Sequence, residues 1–297
     1  MTENELILYD RLEVIKAEIN KHGIDTWCVS FSGGKDSMVV HKLVDMALPG
    51  NRIPRVYANT GIEWKLMVDF VKKLQKEDDR IDIIRPQVNI KKVLEDYGYP
   101  FKSKQHSFYV RVYQRHGMDS KAVQFYLNDT GGRFDCPDKL KYQFTEDFKK
   151  RLKINDSCCK YMKEKPLDQY KKDHNKPNQI LGLMAEEGGR RRSVNCVTLI
   201  GKKISFHPLS KVTKAWEEWF IEKYNVELCD LYKPPYNFDR TGCKGCPFSL
   251  HLQKNLETME AYFPNERKQC EFIWKPVYDE YRRIGYRLKK EEQLKLF

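Results

Sequence analysis

No stretch of the chain strings together the roughly 18 apolar residues that an ordinary transmembrane helix needs. The opening residues, MTENELILYDRLEVIKAEINKHG, lack the basic start and unbroken apolar core of a secretory signal. Both absences imply a cytoplasmic location and no membrane partner. There is no internal repeat and no low-complexity tract, which excludes solenoid and fibrous architectures. Neither GxxxxGK[ST] nor GxGxxG occurs, so a Walker loop and a dinucleotide loop are both missing. A disulfide framework is also excluded, because the nine cysteines are an odd number in a chain expected in a reducing compartment.

What is present is ordinary globular material with a charge bias. Apolar residues make up 40% and aromatics 12% of the 297 residues, too much for a disordered chain. Lys and Arg number 54 against 42 Asp and Glu, a net charge of +12. Such an excess suits a polyanionic partner: a nucleotide, RNA or DNA. A Lys-rich solvated face is the plainer explanation.

The apolar pattern predicts a helix over 4–21, with Leu6, Leu8, Leu12, Ile15 and Ile19 as its stripe. Strands are expected at 25–31, 55–58 and 81–84, alternating with helices at 38–46, 62–74 and 89–97. That alternation predicts a doubly wound α/β domain with a mostly parallel sheet. The pattern weakens over 101–178, where 105–116 and 139–153 look helical and 130–137 reads as a turn. A strand then starts at Asn178, followed by a hairpin, a helix at 212–224 with Trp216, Trp219 and Phe220 on one face, and helices near 250–262 and 267–284. The expected division is a nucleotide-binding domain over 1–250, carrying an inserted cysteine-bearing segment, and a C-terminal helical extension over 251–297.

The strongest local signal is Ser30-Phe31-Ser32-Gly33-Gly34-Lys35-Asp36-Ser37. Apolar strand residues precede it and a helical pattern follows. Its glycines permit a tight turn and close approach of an anion, and the free N–H groups of the new helix can hold a phosphate chain. Ser32 and Ser37 can donate hydroxyl hydrogen bonds and Lys35 supplies charge. Asp36 cannot help an anion directly, so it recruits Mg²⁺ or orders the loop. The plain alternative is a glycine turn. Asn59, Thr60, Gly61 and Glu63 follow the end of the next strand, where open parallel sheets place ligand residues. Arg190, Arg191 and Arg192 follow two glycines after a later strand, where they would clamp a phosphate or form a solvated basic turn.

The string SGGKDS resembles the pyrophosphate loop of the adenine nucleotide alpha hydrolases, which split ATP between its alpha and beta phosphates. Within that superfamily, residues from about 24 to 250 resemble the phosphoadenosine phosphosulfate reductase family. Three further stretches carry the likeness: Tyr57-Ala-Asn-Thr-Gly-Ile-Glu63, Tyr99-Pro-Phe-Lys-Ser-Lys104, and Gly182 to Arg192. Glu186 and Glu187 depart from it, since the family usually has an arginine nearby. The resemblance implies that Ser30, Ser32, Gly33, Gly34, Lys35, Asp36, Ser37, Asn59, Thr60, Gly61 and Glu63 bind ATP. Lys35, Asp36, Arg190 and Arg191 would then act in catalysis with Mg²⁺. An intact SGGKDS is similar to the ATP-splitting branch rather than to the true reductases, whose loop is degenerate.

Two cysteine pairs stand apart from the rest. Cys158-Cys159 and Cys243-Lys-Gly-Cys246 are separated by 83 residues. A Cys-x-x-Cys alone is generic, half a zinc site or a redox pair, and four thiolates satisfy tetrahedral zinc. Together the pairs resemble the CC…CxxC set of adenosine phosphosulfate reductases and their relatives, which implies a [4Fe–4S] cluster on Cys158, Cys159, Cys243 and Cys246, with zinc as the alternative. Those reductases also carry a C-terminal Glu-Cys-Gly-x-His. Here the last cysteine is Cys270, in Lys-Gln-Cys-Glu-Phe, without those neighbours. Cys28, Cys196 and Cys229 read as buried packing residues.

The function expected is an ATP pyrophosphatase that adenylylates an acceptor for sulfur transfer. The resemblance includes DNA phosphorothioation proteins, so DNA or RNA is an expected acceptor and a cysteine desulfurase or other persulfide donor an expected partner. The alternatives are reduction of adenylyl or phosphoadenylyl sulfate, a sulfate adenylyltransferase subunit, and a regulator that senses nucleotide and cluster.

Overall fold

Thr2 opens the fold with a reciprocal cap. Its hydroxyl accepts the Glu5 N–H at 3.3 Å while the Glu5 carboxylate accepts the Thr2 N–H at 2.8 Å. Two donors that a helix start leaves orphaned are thereby satisfied. Helix α1 (Glu3–His22) buries Leu8, Ile15 and Ile19. Leu6 is exposed instead, because it lies two residues before Leu8 and so about 200° round the helix.

The computed structural model describes residues 1–128, 135–187, 195–201 and 203–290. Strand β1 (Trp27–Phe31) follows a single 3₁₀ turn at Ile24–Thr26, which trims the strand expected from Asp25. Then come α2 (Lys35–Ala47), β2 (Arg55–Ala58), α3 (Lys65–Glu77) and β3 (Ile81–Ile84). Helix α3 starts later than expected, because Gly61 at φ +78° and an extended Trp64 keep Ile62 and Glu63 out of it. Next are α4 (Ile90–Tyr97), α5 (Lys104–His116), α6 (Lys121–Leu127), α7 (Glu146–Arg151) and α8 (Lys165–Asp173). The helix expected over 139–153 is two pieces, a 3₁₀ stretch Asp138–Gln143 and α7. Thr145 interrupts it by capping the Phe148 N–H and starting a new helix. Most of the turn expected at 130–137 falls outside the described residues. The chain continues with β4 (Asn178–Ile180), β5 (Val197–Ile200), β6 (Lys203–Phe206), α9 (Lys214–Lys223), α10 (Leu252–Tyr262) and α11 (Pro264–Ile284).

The strands form one sheet in the order β3-β2-β1-β4-β6-β5. Every pairing is parallel except the β5–β6 hairpin. This is the doubly wound, mostly parallel α/β sheet that the alternation predicts. Successive residues of β1 face opposite sides, as a pleated strand requires. Trp27 and Val29 join the larger core with Ile15, Val40 and Phe220 from α1, α2 and α9. Cys28 points the other way, to Val56 and Tyr170 of α8. The order reverses at β1: the chain moves outward through β2 and β3, then returns to β1's other edge with β4. Val29 pairs with Arg55 on one side and Ile180 on the other. Open parallel sheets bind ligands beyond the carboxyl ends of the strands at such a reversal.

Two units divide the chain. The first comprises Met1–Asn59, Glu63–Pro86 and Lys163–Thr241, and contains the whole sheet. The second comprises Thr60–Ile62, Gln87–Met162 and Gly242–Phe297. The boundary expected at residue 250 falls inside the second unit. No helix among the described residues is long and apolar enough to cross a membrane.

Candidate nucleotide loop and cysteine centre

In the first unit, β1 delivers the chain into the loop at its carboxyl end. Gly33 turns it at φ +70°, and a Cβ there would sit 2.6 Å from Met67 Sδ and 2.9 Å from Val71 Cγ2. Both the backbone angle and the space therefore require glycine. Gly34 precedes α2 in extended conformation with no side-chain cap. Beyond the Lys35 N–H, which meets the Tyr232 hydroxyl, the N–H groups of Asp36 and Ser37 are left to face a ligand at the positive end of the helix. Two hydroxyls shape the turn. Ser37 Oγ donates to the Gly34 carbonyl at 2.9 Å and accepts the Ser32 N–H at 3.2 Å, and Ser32 Oγ lies 3.0 Å from it. Ser30 Oγ is buried at the strand end with no hydrogen-bond partner.

Lys35 places its ammonium 5.1 Å from the centre of the Tyr232 ring. The Tyr232 hydroxyl meets the Lys35 backbone N–H and the Thr241 hydroxyl, and burial pushes its pKa up to about 12. Asp36 faces Glu217, near the start of α9. Burial first, and the Asp36 carboxyl second, push the Glu217 pKa up to about 8. Glu217 is 4% exposed and its Oε1 has no hydrogen-bond partner. A buried carboxyl beside a half-buried one favours a proton or a cation between them. After β4, Gly182 lets the chain pass directly over Asp36: a Cβ there would lie 2.9 Å from both the carbonyl carbon and the oxygen of Asp36. The reversal point of the sheet thus brings the β1 loop and the β4 loop into contact.

The remaining predicted nucleotide residues are divided. Asn59 follows β2 in the first unit, its N–H donating to the Ile84 carbonyl at 2.9 Å. Glu63, also in the first unit, is buried and paired with Lys163 at 3.0 Å. Thr60 and Gly61 belong to the second unit. Arg190, Arg191 and Arg192 lie outside the described residues. Glu186 stands at the start of α9, its carboxylate accepting the Lys214 N–H at 2.5 Å, which gives this departure from the resembled pattern a helix-capping job.

The four paired cysteines all fall in the second unit. Cys158 and Cys159 open the helical segment that passes through a π-turn at Lys160–Glu164. Cys158 is buried, and its thiol is raised far above the ordinary range, first by contact with Cys159, then by burial, then by Cys246 and Cys243. The two pairs therefore converge. Among the described residues no group of three or more His, Cys, Asp and Glu side chains is disposed to hold a single metal ion. A four-iron cluster differs from a single ion in lying between its ligands as a body of its own, so it is held by sulfurs set wider apart. The four cysteines supply the thiols that a cluster or a zinc ion would need.

The other cysteines separate by burial. Cys28 and Cys229 are buried as expected, and burial lifts the Cys28 thiol to about 12. Cys196 is only partly buried, because it precedes the edge strand β5. Cys270 is fully buried in α11, its thiol pushed up to about 12 by burial, which suits packing and not nucleophilic attack. Lys244, between the two cysteines of the loop, is buried. Its ammonium goes to Gln269 at 2.7 Å and Glu266 at 3.6 Å on α11. His106 and His207 are both buried and hydrogen-bonded, His106 to Tyr126 and Gln143, His207 to Ser205 and the Asn195 carbonyl.

Glu217 and Tyr232 are absent from the sequence-based expectations, and Gly182 enters them only as the first residue of the Gly182 to Arg192 stretch, without a role of its own. Glu217 had a weak signal: in Trp216-Glu-Glu-Trp219 only one of two adjacent acids can share the helix's buried face. Tyr232 had none, since it lies in a Pro-rich loop nearly 200 residues from the turn it meets.

Comparison with known proteins agrees with the loop and the sheet. Residues 26–135 and 134–249 match the phosphoadenosine phosphosulfate reductase domain. The chain belongs to that family. An uncharacterized protein of Methanocaldococcus jannaschii is 37% identical over 73 residues, 25% of this chain and 17% of that protein. The chain thus spans about a sixth of the length of the curated relative it matches. Among solved structures, a phosphoadenylyl-sulfate reductase from Candida auris is similar with a TM-score of 0.46 and 10% identity, over 82% of this chain and 96% of that one. An NH3-dependent NAD synthetase from Campylobacter jejuni gives 0.41 and 14%, over 93% and 94%. The U34-tRNA thiolase NcsA from Methanococcus maripaludis, with its [4Fe-4S] cluster, gives 0.42 and 14%, over 95% and 80%. Likenesses this slight say nothing about the site, which rests on the residues of this chain.

Proposed function

We propose that this chain is an ATP pyrophosphatase that adenylylates an acceptor for sulfur transfer, with a nucleic acid, as in DNA phosphorothioation, as the acceptor. The observation that carries the reading is the intact Ser32–Ser37 loop at the reversal point of the sheet, with the Asp36 and Ser37 N–H groups open at the start of α2. Such a turn suits the pyrophosphate half of ATP. Ser32 and Ser37 would donate to it and Lys35 would neutralise part of its charge. An acceptor oxygen attacks the alpha phosphorus, the alpha–beta bond breaks and pyrophosphate leaves. The terminal sulfur of a persulfide donor would then displace AMP, and a second thiol would cleave the resulting S–S bond, leaving the sulfur on the acceptor and the donor as a disulfide. Asp36 and Glu217 would hold Mg²⁺, which supplies charge neutralisation as pyrophosphate departs. The buried Glu217 carboxyl facing the half-buried Asp36 is the observation that fits the ion. Arg190 and Arg191 remain proposed clamps on the alpha phosphate. Net charge of +12 supports a polyanionic acceptor.

Cys158, Cys159, Cys243 and Cys246 would hold a [4Fe–4S] cluster, which supplies an electron-transfer or sulfur-binding centre. Those four cysteines and the family also favour a second reading, reduction of adenylyl sulfate or phosphoadenylyl sulfate. Burial of Cys270, the last cysteine of the chain, counts against it, because that chemistry needs an accessible thiolate. Incubation with alpha-labelled ATP separates the two. Labelled AMP with pyrophosphate supports the proposal. Labelled ADP with phosphate, or intact ATP beside sulfite formed from adenylyl sulfate, rejects it.

A further inference from the structure

In the second unit, one face of α11 grips the backbone of the Cys243–Cys246 loop. Trp274 Nε1 donates to the Lys244 carbonyl at 3.2 Å. The Tyr278 hydroxyl donates to the Gly245 carbonyl. The Tyr281 hydroxyl donates to the Pro247 carbonyl at 2.9 Å, and the Arg287 guanidinium joins it there. The aromatic donors stand at i, i+4 and i+7, which is one stripe of a helix. Trp274 is 1% exposed, and Tyr278 and Tyr281 are fully buried. Packing alone needs no such register. A phenylalanine would fill the same space without aiming a donor at each successive carbonyl.

The consequence follows from peptide geometry. In a trans peptide the N–H points opposite to the C=O. Fixing the Lys244 carbonyl on α11 therefore turns the Gly245 N–H away from the helix, and fixing the Pro247 carbonyl does the same to the Phe248 N–H. Two N–H groups of the loop are occupied: Lys244 donates to the Ile62 carbonyl at 2.9 Å and Cys246 to the Cys243 carbonyl at 3.2 Å. Those of Gly245 and Phe248 have no hydrogen-bond partner among the described residues. Gly245 can take this turn, at φ +62°, only because it has no side chain: a Cβ would lie 2.5 Å from the Tyr278 hydroxyl oxygen and 2.7 Å from Cys270 Sγ. Tyr278, Cys270 and Gly245 thus form one close-packed bracket behind the loop.

We propose that the Trp274–Tyr278–Tyr281 face of α11 is a positioning device for the cysteine centre, holding the N–H groups of Gly245 and Phe248 as hydrogen-bond donors to the cysteine sulfurs. Such donors stabilise bound thiolates and raise the reduction potential of a cluster. The inference rests on the reading of the four cysteines as cluster ligands.

The test is Tyr278→Phe in the full-length chain, which keeps the ring but frees the Gly245–Cys246 peptide lying between the two donor peptides, and so loosens Gly245 itself. Wild type and variant are purified and reconstituted anaerobically, and iron, sulfide, the midpoint potential and the rate of iron release to a chelator are measured beside the thermal melt. The expected result is a folded variant that loads iron, releases it about tenfold faster or more, the usual scale for losing an outer partner of a metal ligand, and has a more negative potential. Tyr281→Phe leaves Arg287 on the Pro247 carbonyl, so its effect should be smaller in the same direction, and it serves as the second variant if Tyr278→Phe does not fold. Tyr142→Phe removes a hydroxyl bonded to Glu280 in the same unit and should leave release and potential unchanged. Iron-loaded Tyr278→Phe and Tyr281→Phe proteins with wild-type release and potential overturn the positioning role. A wild-type chain that takes up no iron overturns the cluster reading beneath it, which is a different failure.

Discussion

Gly182→Ala should damage the nucleotide loop without replacing any residue proposed to meet the nucleotide. The new Cβ would stand 2.9 Å from the carbonyl carbon and oxygen of Asp36 and 3.0 Å from its Cβ. Ordinary carbon contacts begin near 3.4 Å, so about half an ångström must be found. The atoms in the way are mostly backbone in the first turn of α2, and they cannot swing aside as a side-chain end would. Overpacking of this kind costs about 1–3 kcal/mol. Residue 182 does not have a positive φ, so no conformational strain adds to that. Loss of unfolded-state freedom offsets about 0.4–1 kcal/mol. The net expectation is destabilisation by about 1–2 kcal/mol, seen as a fall of a few degrees in the melt. Any shift relieves itself by moving Asp36. A displacement of 1 Å at a reacting centre costs about a hundredfold, so a shift of a few tenths should slow ATP cleavage severalfold to about tenfold. Gly242→Ala is the matched control, since a Cβ there meets nothing within 4 Å. Turnover is followed as AMP released from alpha-labelled ATP, and stability as the thermal midpoint. If Gly182→Ala matches Gly242→Ala in both, the close approach of the two loops is not real and the site built on it fails.

Ser37→Ala removes a hydroxyl that bonds the Gly34 carbonyl and the Ser32 N–H, and should weaken pyrophosphate binding by about 1–3 kcal/mol; calorimetric titration with pyrophosphate reads it, and unchanged affinity refutes the role. Cys243→Ala should abolish iron loading, whereas Cys28→Ala should leave iron content intact and cost only the packing of a fully buried thiol; equal iron in both variants would count against the cluster. His106 is fully buried between Tyr126 and Gln143, and burial pulls its pKa down to about 3. Its folded value lies below its unfolded value near 6.5, so the unfolded chain binds the extra proton and stability is lost as pH falls from about 6.5 toward 3. NMR of the imidazole C–H resonances checks this: titration of His106 near pH 6.5 in the folded protein would contradict it.

The alternation of short apolar strands with helices, read directly along 25–97, is enough to imply the doubly wound sheet, because period and spacing are local properties of a chain. The Ser32–Ser37 loop is legible for the same reason, since a glycine turn between a strand and a helix has its physics within eight residues. Register is legible where the period is strict: Leu8, Ile15 and Ile19 are buried as the helix repeat requires, while Leu6 breaks that repeat and is exposed. The cysteine pairs announce themselves by type, but only the fold brings Cys158 to Cys243 and Cys246. The partners that complete both sites belong wholly to tertiary structure. Glu217 reaches Asp36 across 181 positions, Tyr232 reaches Lys35 across 197, and Tyr278 reaches Gly245 across 33. Arg55 makes the same point in the core: a charge at the start of a buried strand, itself fully buried, held by Asp45 and Asn51. Local pattern records which residues prefer which backbone. Which two side chains meet is decided by how helices and strands pack, and that depends on every element at once.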